Sequence, residues 1–234
     1  MRDDFSGIVG WQKNSFIDFP GTVATVLFFS GCNLRCPYCH NADLVLNHNL
    51  QPIDPDELQS FLISRKEHIA GVVFSGGEPT LHRNLAAACQ RVKELGYKVK
   101  IDTNGLNPEA LLPCQFDYLA LDIKTDPLLY QTRLASPFFD TEERLKQSVA
   151  LVKSMGTQAE IRITVVPELV TTKTIIKIGE LINGCRIAYL QPLRQQTALL
   201  DPAYNTITPC TPQQIAQFRN VLADFVEICA VRKQ

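Results

Sequence analysis

The chain has 234 residues, 45% of them hydrophobic, a formal net charge of −1 and eight cysteines. That length suits one sizeable α/β core, expected here as a single domain over residues 1–234 with a lead-in over 1–21. The even spread of Lys and Arg argues against a nucleic-acid partner, and no apolar run is long enough to cross a bilayer.

The first residues, Met1-Arg2-Asp3-Asp4-Phe5, are polar and acidic rather than signal-like, so a cytoplasmic location is expected. Residues 7–21 read as a short hairpin or extended lead-in that ends on the turn pair Pro20-Gly21. Residues 23–29, Val-Ala-Thr-Val-Leu-Phe-Phe, form a continuous apolar run of the kind a strand buried on both faces requires. Directly after it comes Gly31-Cys32-Asn33-Leu34-Arg35-Cys36-Pro37-Tyr38-Cys39-His40-Asn41.

Asp54-Pro55-Asp56-Glu57 then opens a helix expected to reach about His68, because Asp54 can cap and Pro55 suits the first turn. A second strand over 71–75 ends in Gly76-Gly77-Glu78-Pro79. Leu81, Leu85, Ala88, Val92 and Leu95 mark one helix face, which Gly96 stops. The third strand, 97–101, runs into Asp102-Thr103-Asn104-Gly105, and a short helix follows over 108–112. The fourth, 118–123, carries Asp122 and leads to Lys124.

A helix from Asp140 to Met155-Gly156 precedes strand five, 159–166, which holds Arg162. A helix over 172–182 precedes strand six, 187–190, which ends at Gln191-Pro192. Thr211-Pro212-Gln213-Gln214 caps a final helix expected to run to about Ala230.

Six strand–helix units with short connections imply parallel strands with helices outside. The full eight-stranded barrel takes roughly 250 residues, so the expected fold is a partial (β/α)6 TIM-like barrel, open on one side. A doubly wound sheet is the competitor. Most of the unusual polar residues fall at or just beyond strand C-termini, the edge on which parallel α/β folds build active sites.

Three thiols within eight residues admit several metals. A structural zinc would need His40 as its fourth ligand, and adjacent Cys39 and His40 reach one tetrahedral ion poorly. Cys36-Pro37-Tyr38-Cys39-His40 also fits the attachment pattern of c-type haem, which leaves Cys32 without a role. Three soft thiolates suit an iron–sulfur cluster with one iron open. Cys89, Cys114, Cys185, Cys210 and Cys229 are scattered in or beside apolar segments and read as small buried hydrophobes.

The Cys-x3-Cys-x2-Cys loop resembles that of the radical S-adenosylmethionine enzymes, in the form found among glycyl-radical-enzyme activases. The later motifs follow in that family's order along nearly the whole chain. The resemblance implies a [4Fe–4S] cluster on Cys32, Cys36 and Cys39. It also implies cleavage of S-adenosylmethionine to a 5′-deoxyadenosyl radical that removes a hydrogen atom from substrate.

By the same resemblance Tyr38 lies near the adenine, and Gly76, Gly77 and Glu78 receive the methionyl amino group. Asn104, Lys124, Arg162 and Gln191 would contact the cosubstrate. Asp102, Thr103 and Asp122 would ligate a monovalent cation. Some activases carry a histidine near Gln191, which this chain lacks. The implied partners are a glycyl radical enzyme as protein substrate and a flavodoxin- or ferredoxin-type electron donor.

No cysteine lies between Cys39 and Gly71, where several activases hold a ferredoxin-like insertion. Ser15-Phe16-Ile17-Asp18-Phe19-Pro20-Gly21 is similar to the lead-in of anaerobic ribonucleoside-triphosphate reductase activating proteins, the expected subgroup. Pyruvate formate-lyase activases, small-molecule members of the superfamily and a non-enzymatic metal-binding module are the alternatives.

Overall fold

A computed structural model describes residues 4–195 and 197–232; residues 1–3, the start of the expected lead-in, lie outside it. The chain packs as two compact units. The first takes in the described part of Met1–Cys32 with Asp43–Thr103 and Asn107–Leu119. The second takes in Asn33–Ala42, Asn104–Leu106 and the described part of Ala120–Gln234.

In the first unit, β1 (Ile8–Ser15) pairs antiparallel with β2 (Ala24–Phe29), so the lead-in is not itself a hairpin but an extended arm whose partner is the strand after it. A short helix, α1 (Ala42–Leu46), follows the cysteine loop, and α2 (Pro55–Ser64) follows that. The Asp54 side chain accepts from Asp56 N at 2.9 Å, as its capping role requires. The helix stops at Ser64 rather than near His68, and Leu58 and Leu62, one turn apart, are its buried face.

Strand β3 (Gly71–Gly76) runs parallel to β2 with Ala24 opposite Gly71 and Phe29 opposite Gly76. After α3 (Leu85–Glu94), β4 (Lys98–Thr103) pairs parallel with β3. Strands β2 and β3 are almost wholly buried, which explains their unbroken apolar sequence. Phe19, Ala24, Val26 and Val73 form a core cluster on which Phe28 and Tyr118 pack. A 3-10 turn (Pro108–Leu111) stands where the short helix was expected, before β5 (Tyr118–Asp122).

The second unit holds α4 (Tyr130–Leu134), α5 (Thr141–Met155), β6 (Ala159–Val165), α6 (Thr172–Ile182), β7 (Ile187–Pro192), α7 (Pro212–Leu222) and β8 (Ile228–Val231). Capping boxes open α6, through Thr171 and Thr174, and α7, through Thr211 and Gln214. β6 pairs parallel with β7, and β7 with β8.

The expected final helix is therefore too long by about two turns. It ends at Leu222, and Ile228–Val231 turns back as a strand with Ile228 opposite Ile187 and Val231 opposite Leu190. In the first unit β1, β2, β3 and β4 lie side by side in that order, and in the second β6, β7 and β8 do so. Within each unit that is the mostly parallel α/β arrangement expected from the alternation. Among the described residues no helix is long and apolar enough to cross a membrane.

Candidate functional site

In the first unit the Gly76-Gly77 turn lies against the backbone that leads into Cys32. Gly77 N donates to Phe29 O at 2.9 Å, Glu78 N to Gly31 O at 2.8 Å, and Gly31 N to Leu44 O at 2.7 Å. A Cβ on Gly76 would stand 2.5 Å from Phe29 O, and one on Gly77 would stand 1.8 Å from Gly31 O. Gly76 also has φ +111°, outside the usual range of side-chain-bearing residues. Both glycines thus let the β3 end touch the start of the cysteine loop.

Glu78 is buried, and its Oε1 accepts from Thr80 N at 3.1 Å, Thr80 Oγ1 at 2.6 Å and Thr103 Oγ1 at 2.7 Å. Three donors on one oxygen fix the carboxylate's orientation, and through Thr103 they tie it to the end of β4. Asp102, one residue earlier, accepts from Ser75 Oγ at 3.2 Å on Oδ2 and from the Lys100 ammonium on Oδ1. Lys100 is only 1% exposed.

In the second unit the rest of the cysteine loop is gripped from both sides. Arg35 N donates to Leu134 O at 2.8 Å, while Leu200 N and Asp201 N donate to Cys39 O and Pro37 O, each at 2.9 Å. The His40 ring shares a 3.0 Å hydrogen bond with Arg194 O. Asn104 Nδ2 donates to Asn33 Oδ1 at 2.7 Å, and Asn104 Oδ1 accepts from Leu106 N at 3.1 Å. Asn104 therefore pins the loop to the segment after β4. Tyr38 is buried, and its hydroxyl has no hydrogen-bond partner among the described residues.

Asp122, at the end of β5, gathers two cations. Arg162 Nε and Nη2 donate to its two oxygens at 2.7 and 3.1 Å, and Lys124 Nζ lies 3.1 Å from Oδ2. Burial works against the Asp122 charge, but Arg162 and Lys124 outweigh it and hold the carboxyl well below its usual range. Burial likewise opposes the Lys124 ammonium, and Asp122 and the Cys36 thiol more than compensate, so its pKa rises. The Cys39 thiol is pushed up by burial, with Lys124 and the Asn41 backbone acting in the other direction. The Lys124 backbone N–H donates to the buried Tyr130 hydroxyl at 2.9 Å.

Of the residues expected at the site, the second unit brings Cys36, Tyr38, Cys39, Asp122, Lys124 and Arg162 into one electrostatic neighbourhood. Asn104 holds its loop, and Gln191 lies in β7 opposite Thr164. The first unit holds Cys32, Gly76, Gly77, Glu78, Asp102 and Thr103. Lys100, Thr80 and Tyr130 were not foreseen. For Lys100 a signal exists, since Lys98, Lys100 and Asp102 alternate with Val99 and Ile101 along the strand.

Among the described residues no group of three or more His, Cys, Asp and Glu side chains is gathered as a site for one metal ion. The loop's donor set of three thiols is nevertheless the soft one that an iron–sulfur cluster takes, each thiolate on its own iron.

A parallel β/α arrangement with this three-thiol loop directly after its first parallel strand fits an α/β protein of the iron–sulfur class. Residues 26–174 match the Radical SAM superfamily, and the chain belongs to it. Membership implies a [4Fe–4S] cluster and S-adenosylmethionine.

A Methanocaldococcus jannaschii protein, provisionally described as a glycyl-radical enzyme activating enzyme, is 27% identical over 242 aligned positions, covering 99% of this chain and 97% of its own. The pyruvate formate-lyase-activating enzyme of Clostridium pasteurianum is 34% identical over 185 positions, 75% of each chain. In fold the chain is similar to QueE from Escherichia coli, with a TM-score of 0.55 at 17% identity, covering 97% of this chain and 93% of that one.

Proposed function

We propose that the protein activates a glycyl radical enzyme, and that its partner is anaerobic ribonucleoside-triphosphate reductase. The observation that carries the reading is the Cys-x3-Cys-x2-Cys loop in a chain similar, over three quarters of its length or more, to two proteins described as activating enzymes. The choice of reductase rests on the lead-in from Ser15 to Gly21. There Ser15 Oγ donates to Asp18 Oδ2 at 2.5 Å and accepts from the N–H groups of Ile17 and Asp18. That turn leaves Phe16 and Ile17 78% and 80% exposed. The Clostridium pasteurianum relative makes pyruvate formate-lyase the competing partner.

In this reading Cys32, Cys36 and Cys39 hold the cluster. When bound, the cluster and S-adenosylmethionine supply, after one-electron reduction, the radical that removes an α-hydrogen from a glycine of the partner. A flavodoxin- or ferredoxin-type protein in the cytoplasm provides the electron.

The chain's own residues orient and shield. Glu78, fixed by Thr80 and Thr103, offers a carboxylate to an ammonium group, while Gly76 and Gly77 keep the β3 end close to the loop. Lys124 and Arg162, drawn together by Asp122, present positive charge suited to a carboxylate. Tyr38 contributes an apolar face with a hydroxyl left for a ligand. Asn104 keeps the loop in place, and Gln191 serves at the end of β7.

The test is anaerobic incubation of iron- and sulfide-reconstituted protein with S-adenosylmethionine, a reductant and each candidate partner, read by electron paramagnetic resonance. A glycyl radical signal in the reductase supports the reading. A signal in pyruvate formate-lyase alone assigns the competing partner. Release of 5′-deoxyadenosine without either signal moves the protein to small-molecule chemistry. Replacing Cys32, Cys36 or Cys39 by Ala abolishes 5′-deoxyadenosine formation, whereas Cys114→Ala and Cys229→Ala leave it largely intact. Loss of the cluster in the second pair would refute the assignment of ligands.

A further inference from the structure

Lys100 lies in the middle of β4 and is 1% exposed, among the most completely buried large side chains of the protein. Burying an ammonium is costly unless an opposite charge meets it. The strand supplies that charge, because positions i and i+2 share a face, and Lys100 reaches Asp102 Oδ1 directly. Ser75 Oγ takes the other carboxylate oxygen. Thr103, the next residue, spends its hydroxyl proton on Glu78.

In the second unit both oxygens of Asp122 receive Arg162, and Lys124 adds a second cation. A sodium or potassium ion trades its hydration shell for several oxygen ligands. Each carboxylate expected to supply such ligands already faces a cation of the chain. A metal ion here would sit against like charge, and the residues therefore do not fit the metal.

We propose that Lys100 is the resident cation of the β4 strand end. Its ammonium fills on Asp102 the place a monovalent metal ion would take, and the protein works independently of sodium and potassium. Lys100 is a positioning residue: it neutralises and aims Asp102 while Thr103 holds Glu78. A lysine suits the role, being a compact charge with three donors. The assignment rests on the reading of the protein as an S-adenosylmethionine enzyme only for its effect on turnover. The cation itself is a property of the folded chain.

The experiment compares reconstituted wild type, Lys100→Met and Lys100→Arg in potassium chloride, sodium chloride and choline chloride at equal ionic strength. Three quantities are read: thermal midpoint, sodium NMR line broadening and 5′-deoxyadenosine release. Wild type is expected to respond identically to the three salts and to broaden no sodium signal. In Lys100→Met, whose Asp102 has lost the Lys100 ammonium, potassium or sodium raises the midpoint where choline does not. The same ions restore S-adenosylmethionine cleavage at least threefold, and Lys100→Arg retains the indifference of wild type.

Potassium-specific stabilisation or sodium broadening in wild type overturns the proposal, even if Lys100→Met fails to fold. So does a folded Lys100→Met that ignores the metal ions. If no protein releases 5′-deoxyadenosine in any salt, the enzymatic reading fails, while the midpoint and the NMR still decide the role of Lys100.

Discussion

Asp122→Asn removes a negative charge that both Arg162 and Lys124 meet. Arg162 meets both carboxylate oxygens, at 2.7 and 3.1 Å, and Lys124 stands 3.1 Å away. At an effective dielectric of about 20 each charge pair is worth about 4 kcal/mol gross, much of which offsets desolvation. Breaking such a pair from one side, with the remaining charge left buried, costs roughly 3–5 kcal/mol. The three side chains keep 14–22% exposure, which places the loss near the lower end.

For a chain of this size about 3 kcal/mol lowers Tm by about 6–12 °C. Arg162→Met costs less, about 2 kcal/mol as for lost hydrogen bonds to a charged group, because Lys124 still faces the carboxylate, whereas Asp122→Asn leaves two cations facing each other. The assay is anaerobic thermal unfolding of the cluster-free protein. Glu180→Gln, which breaks the exposed Lys177–Glu180 pair, serves as the control with no measurable shift.

The pH dependence carries the same sign. A carboxyl held below its usual range stabilises the fold above about pH 4 and loses that contribution as pH falls further. The gap between wild type and Asp122→Asn is therefore full at neutral pH and closes only in acid. A Tm difference under about 2 °C at pH 7, or a gap that widens in acid, would refute the account of Asp122 as the hub of a partly buried triad.

Three further substitutions probe backbone and thiol. Gly77→Ala drives a Cβ to 1.8 Å from Gly31 O and should cost at least the upper part of the roughly 1–3 kcal/mol overpacking range. Gly21→Ala, with φ +64° and open space around it, should cost only about 1 kcal/mol; equal urea midpoints for the two would remove the close-approach argument. Burial pushes the Cys185 thiol up to about 11. Its protonated form therefore supports the fold below the ordinary thiol pKa, and that support fades as pH climbs from about 8.5 to about 11. Urea midpoints of wild type should fall relative to Cys185→Ala across that window, and parallel curves would sink the assignment.

Much of the fold was legible because its signals are local. The apolar run of β2, the Asp54-Pro55 start of α2, and the capping residues Thr171 and Thr211 each act within a few residues of themselves. The cysteine loop was legible for the same reason: ligand type and spacing are written into one contiguous segment.

β8 was not. Ile228-Cys229-Ala230-Val231 is a short apolar stretch equally at home at the end of a helix, and only pairing with β7, some forty residues earlier in the chain, makes it a strand. The buried charges follow the same logic. Asp102, Thr103 and Asp122 were recognisable as polar strand ends, yet their partners Lys100, Glu78 and Arg162 follow from which faces and neighbouring strands come together.

By itself, then, the sequence determined the order of β/α units, the three-thiol loop and the residue types offered at the strand ends. Tertiary structure alone decided where the last strand docks, that Gly76 and Gly77 press on the loop's own backbone, and which cation answers each carboxylate. The physical reason is that propensity and ligand spacing are properties of neighbours in sequence. The counter-charge of a buried group is a property of neighbours in space.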